Sequence, residues 1–159
     1  MRRRLLALLL FVLPVTVLAT PPGILRLDAK APMAVTYRAV TTALEGARFW
    51  VVFEADLGGN LAGFAERWGE DLNRNRLDGI RSVVVCNAWY ANQVSNADPD
   101  LLALCPLRVN LVEKDGVTRV LFARPTAVAA GSPGIAIIEE IEDVISEALH
   151  AAVAAAEGR

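Results

Sequence analysis

Several residue types that catalytic chemistry depends on are scarce in this sequence. Its 159 residues include one histidine, two cysteines and two methionines. Two cysteines cannot staple a disulfide-dense mini-domain. With His150 as the lone imidazole, the usual Ser-His and Cys-His nucleophile pairs have one residue to draw on. His150 lies nine positions after Ile141 on a helical pattern, opposite the apolar stripe and beside Asp143 and Glu147. It reads as a solvated side chain. No phosphate-binding G-x-x-x-x-G-K-[ST], dinucleotide G-x-G-x-x-G, zinc H-E-x-x-H, nucleophile-elbow G-x-S-x-G or haem C-x-x-C-H motif is present. A basic excess is also missing: 16 Lys and Arg stand against 18 Asp and Glu, which argues against nucleic acid as a partner. Nor is there a collagen-like period or a low-complexity tract.

Apolar residues are abundant, at 54% of the chain. Much of that excess is at the start. Arg2, Arg3 and Arg4 precede an apolar run from Leu5 to Leu18, and Val17 and Ala19 put small residues at the −3 and −1 positions of a cut before Thr20. These are the parts of a secretory signal peptide. The run of about 14 residues, rising ~1.5 Å each, falls short of a ~30 Å hydrocarbon core. Cleavage after Ala19 is therefore expected, giving a periplasmic or secreted protein with no stable membrane span. Losing three arginines leaves 13 basic against 18 acidic residues, a net charge of −5.

Beyond the leader, residues 20–32 carry Pro21, Pro22, Gly23 and Pro32 and read as an extended segment with little regular structure. One domain is expected from residue 33 to 159. Met33, Tyr37, Val40 and Leu44 share one helical face. Residues 48–54 and 80–86 are β-branched and aromatic runs that predict strands. Between them, Leu61, Phe64, Ala65, Trp68 and Leu72 repeat at helical spacing, and a polar loop follows. Asp98-Pro99 predicts a capped helix start. Asp115-Gly116 between two apolar runs predicts a hairpin. A long helix follows Ser132-Pro133-Gly134, with Ile138, Ile141, Val144, Ile145, Ala148 and Ala152 on one face. The order α-β-α-β-α-β-β-α, ending in a hairpin, predicts a two-layer α+β domain with a mainly antiparallel sheet.

Few residues offer chemistry. Asp71, Asn73 and Asn75 alternate like the start of a calcium loop, but Arg76 replaces the turn glycine and Ser82 stands at the twelfth position. A surface turn is the better reading, and no metal is assigned. Glu54 and Asp56 are a carboxylate pair supported only by their place near a strand. Cys86 and Cys105 are more informative. Cys86 closes a strand and Cys105-Pro106 opens another, so adjacent antiparallel strands would bring them together. In an oxidising compartment a bridge is the default, worth roughly 3 kcal/mol for a loop of about 20 residues. A redox or sulfur-carrying pair with Cys86 as nucleophile stays open, as does thiolate coordination of a metal or haem. Asn87, Trp89, Tyr90, Asn92 and Gln93 beside Cys86 form a candidate ligand groove; the competing reading is a helix that packs Trp89 inward.

Cys86-Asn87 at a strand end, Asp98-Pro99, Leu104-Cys105-Pro106 leading into Val109, Val112 and Glu113, and the Asp115-Gly116 turn resemble the domain-of-unknown-function family numbered 302. The resemblance spans roughly residues 35–155. It implies a compact α+β domain with a TATA-binding-protein-like arrangement of sheet and helices, often dimeric, and no established activity. The expectation is an exported binding or accessory domain held by a Cys86–Cys105 disulfide, without a cofactor. Its partner would be a small molecule, an exported protein or a second copy. The alternative is an exported thiol–disulfide or sulfur-redox protein.

Overall fold

The computed structural model describes residues 21–159. The proposed leader, with its cut after Ala19, lies outside the described residues. Five antiparallel strands form one sheet in the order β1-β5-β4-β3-β2. They are β1 (Ile24–Ala29), β2 (Trp50–Asp56), β3 (Gly79–Cys86), β4 (Leu107–Lys114) and β5 (Val117–Ala123). Helices α1 (Met33–Gly46) and α6 (Ile135–Ala156) pack against each other over one face of it. The two-layer antiparallel α+β architecture is the one expected. Among the described residues, no helix is long and apolar enough to cross a membrane.

The first strand corrects the sequence reading. Residues 24–29 are not an irregular leader but an edge strand paired with β5, Leu25 facing Phe122 and Ala29 facing Thr118. Strict alternation explains this: Leu25 and Ala29 are buried on the helix side, while Ile24, Arg26 and Asp28 point away from it. The following turn is tied down where the Thr118 hydroxyl donates to the Ala31 carbonyl at 2.8 Å. The chain then crosses the sheet through α1, so β1 and β2 occupy opposite edges.

Val40 and Leu44 of α1, Val83 and Val85 of β3, Val109 and Leu111 of β4, and Val120 and Phe122 of β5 supply the centre of the core. Ile138, Ile141, Ile145 and Leu149 cover it from α6. One acid shares that apolar stripe. Glu142 is buried, accepts hydrogen bonds from Arg124 at 3.0 Å and from the Thr126 hydroxyl and amide at 2.6 and 3.1 Å. It anchors α5 (Thr126–Ala129) to α6. Before α6, Gly134 lies so close to Leu101 that a Cβ would stand 2.8 Å from its Cδ1. The hairpin turn is as predicted, with Asp115 and Gly116 both at positive φ, 52° and 74°.

The helix expected over residues 61–72 is broken instead into α2 (Leu57–Ala62), α3 (Ala65–Trp68) and a 3₁₀ turn at Gly69–Asp71. None of them buries a residue. Phe64 and Trp68 stack on each other with ring centroids 4.6 Å apart, and both stay exposed. Strand β2 is an exposed edge as well. Its ladder shifts register between Val51 and Phe53, a bulge at which Trp50, Val52 and Phe53 are each more than half exposed.

Glu142→Ala leaves the Thr126 amide and hydroxyl and the Arg124 guanidinium without their acceptor. A loss of about 1–3 kcal/mol in urea-denaturation stability is expected. Arg124→Ala, which removes a half-exposed partner, should cost no more than about 1 kcal/mol. Equal losses would show that the ion pair, rather than the α5 anchor, carries the contribution.

Candidate thiol and aromatic site

Strand β3 ends at Cys86, and Asn87 turns the chain directly into α4 (Ala88–Ala97). Asn87 works as the N-cap: its side-chain oxygen accepts from the amides of Trp89 at 2.9 Å and Tyr90 at 3.2 Å. From α4 the chain passes through a 3₁₀ turn, Pro99–Leu104, where Asp98 accepts from the Asp100 amide and from the Ser132 hydroxyl at 2.5 Å. It re-enters the sheet through Cys105 and Pro106, joined by a cis peptide bond. The last ladder pair of β3 and β4 is Val85 with Leu107. Cys86 and Cys105 thus flank the same end of the same strand pair, as the sequence implied.

The expected bridge between them is not formed in this structure: both are half-buried free thiols. They lie near enough that a Cys86 charge acts on Cys105. Burial pushes the Cys105 thiol above its usual range, and the proximity of Cys86 adds to the shift. Cys105 is therefore protonated at neutral pH, which suits a resolving or bridging partner better than an attacking thiolate.

The other predicted residues divide into two groups. Asn87, Trp89 and Tyr90 line a groove of about 360 Å³, and Arg48 and Trp50 form its other wall. Asn92 and Gln93 do not line it. Trp89 points outward at 66% exposure, so the reading that packs it inward is set aside. Tyr90 serves the core on one side, stacking on Phe49 at 5.6 Å, while its hydroxyl donates to Glu140 at 2.7 Å. That hydrogen bond, burial and the Glu140 charge together raise the Tyr90 phenol.

Sequence reasoning missed Arg48 and Trp50 because they come from another element. The signal was nevertheless present. Phe49 is buried and Trp50 is 57% exposed, an alternation that a strand start produces and that turns one aromatic outward beside Cys86, its register partner. Arg48 holds a positive φ of 63°, which turns the chain out of α1 into β2.

The remaining candidates lie elsewhere. Asp56 accepts from the Gly59 amide at 2.9 Å and caps α2. Glu54 stands beside Tyr37, away from the thiols. Asp71 is paired with Arg74, and Asn73 is bonded to both the amide and carbonyl of Leu77, so the calcium-like segment is a self-satisfied turn. His150 is exposed on α6. No group of three or more potential metal ligands occurs among the described residues.

The family model for DUF302, a domain of unknown function, matches residues 25–153. The crystal structure of an uncharacterized conserved DUF302 protein from Bacillus stearothermophilus is similar, with a TM-score of 0.71 at 19% identity. The match covers 82% of this chain and 98% of that one. At that identity the likeness concerns the fold. No curated protein matches the sequence.

With its pKa raised, Cys105 contributes stability below its ordinary value of 9.0, lost as pH rises through the folded value. In a Cys86→Ser variant, iodoacetamide should label Cys105 slowly at pH 7, with a rate still climbing past pH 9. Labelling at pH 7 as fast as that of a free cysteine peptide, read by mass spectrometry, would contradict the buried-thiol assignment.

Proposed function

The chain belongs to the DUF302 family of unknown function, and we propose that within it this protein is an exported binding or accessory domain. Its ligand groove adjoins a Cys86–Cys105 pair that closes as a disulfide after export. One observation carries the reading. Two tryptophans, more than half exposed, flank one groove together with Arg48. Indoles are costly to leave in water, and such rings are the usual anchors of recognition surfaces. The cationic Arg48 beside them favours an anionic or flat apolar ligand.

The groove is tested with 1-anilinonaphthalene-8-sulfonate, an anionic aromatic probe. Trp89→Ala and Arg48→Ala should each weaken its binding at least fivefold. Trp68→Ala, on the separate loop after β2, should leave it unchanged. Equal loss in all three would mean general adhesion to apolar surface and would remove the basis of the proposal.

The sequence of the first 19 residues supports export, and the placement of the two thiols at one end of the β3–β4 pair supports closure. After expression of the full chain in a host with an oxidising periplasm, intact mass should correspond to a protein beginning at Thr20 and lighter by two hydrogen atoms. A product retaining residues 1–19, or one with two alkylatable thiols, would refute the corresponding half.

The second reading, a working thiol–disulfide pair, is favoured by both cysteines being half-buried rather than sealed in the core. The reduction midpoint separates the two. A structural bridge should lie below about −300 mV and open only on unfolding, whereas a working pair lies well above that value.

A further inference from the structure

At the end of β3 remote from the thiols lies a cavity of about 620 Å³, within the range of small-molecule sites. Glycines open it. Gly79 faces Glu113 across the β3–β4 ladder, and a Cβ there would come within 3.3 Å of the Met33 Cε. Gly58 is equally confined, since a Cβ would stand 3.2 Å from the Ile80 nitrogen. Tyr37 and Arg38 of α1 and Arg81 of β3 line the cavity with Asp56, Asp78 and Glu113.

The charges are unusual in their commitments. Asp56 is engaged by the Gly59 amide, and Asp78 accepts from the Asp115 amide at 2.7 Å. Arg38, Arg81 and Glu113 form no ion pair among the described residues. Arg81 instead lies over the Tyr37 ring, 5.2 Å from its centroid. It is opposite Leu111, two positions along β4 from Glu113, so unpaired charges of both signs stand as near neighbours. The Tyr37 hydroxyl is buried and makes no hydrogen bond of good geometry, although the Glu54 carboxylate and the Arg81 guanidinium lie beside it. Burial, reinforced by Glu54 and opposed by Arg81, pushes it up to about 12, so it remains a neutral donor throughout the physiological range.

A simple anion entering here meets three carboxylates, and a simple cation meets two guanidiniums. A molecule carrying both charges close together satisfies both sets. We propose that this cavity is a binding site for a zwitterionic small molecule of the α-amino acid class. Its carboxylate sits against Arg81 and Arg38, its ammonium against Glu113, and its side chain on Met33. The Tyr37 hydroxyl supplies a further donor to the carboxylate once Arg81 moves to meet the ligand.

The proposal is independent of the aromatic groove and is tested by isothermal titration of the folded protein with L-leucine and L-glutamine. The controls are 4-methylpentanoate and 3-methylbutylamine, which are leucine without its amine and without its carboxylate. At least one amino acid should bind, and each half-molecule at least tenfold more weakly. Arg81→Gln and Glu113→Gln should each weaken binding tenfold or more, and Tyr37→Phe about threefold. Gly79→Val, which fills the cavity without altering charge, should abolish it while circular dichroism and the melting profile confirm the fold. Absence of binding by both amino acids overturns the proposal. So does equal binding of a half-molecule, or unchanged leucine affinity in Gly79→Val.

Discussion

The packing of α1 and α6 across one face of the sheet is the constraint on which the other features depend. Each strand must present its apolar set to that face, so every register is fixed to within a residue; a slip by one would turn Val83, Val85, Val109 and Leu111 into water. Once β3 and β4 are locked in that register, Cys86 and Cys105 have no choice but to meet at one end, while Gly79 and Glu113 meet at the other. Both sites are consequences of a single alignment. Each end also leans on the core: Met33 of the cavity belongs to it, and Tyr90 of the groove packs against it.

Much of this architecture was legible because its signals are local. The Asp115-Gly116 turn needs positive φ at both residues, and the α6 stripe repeats at 3.6 residues over its whole length. The failures have physical causes. Residues 24–29 alternate cleanly, but flanking prolines and glycine suggested a loop. Their strand character is conferred by β5, nearly a hundred residues away, and by the Thr118–Ala31 hydrogen bond. Residues 61–72 repeat like a helix, yet Gly63 and Gly69 interrupt them and no core lies beneath. Periodicity records an amphipathic face; it does not record whether anything covers that face.

Glu142 shows the same limit from the opposite side. Its neighbours Ile141 and Ile145 mark the buried stripe, but their spacing does not show that an acid between them is buried too. Three donors from the segment after β5 make that burial tolerable, since together they replace much of the water a carboxylate loses on burial. The groove residues behave similarly. Asn87, Trp89 and Tyr90 follow directly on Cys86 and could be found by inspection, whereas Arg48 and Trp50 join them only through the β2–β3 ladder.

Exposure on the β2 side completes this logic. A bulged edge strand with Trp50, Val52 and Phe53 in water, followed by a loop holding Phe64 against Trp68, places several of the domain's large exposed apolar groups close to one another in sequence. An edge of this kind is a liability unless it is used or protected. The bulge gives partial protection by twisting the ladder, and the stacking of Phe64 on Trp68 hides part of both rings. Trp50 is different, since it is register partner to Cys86 and a wall of the groove. Of the three it alone opens onto the groove, and the bulge that follows it leaves Val52 and Phe53 outside the groove lining.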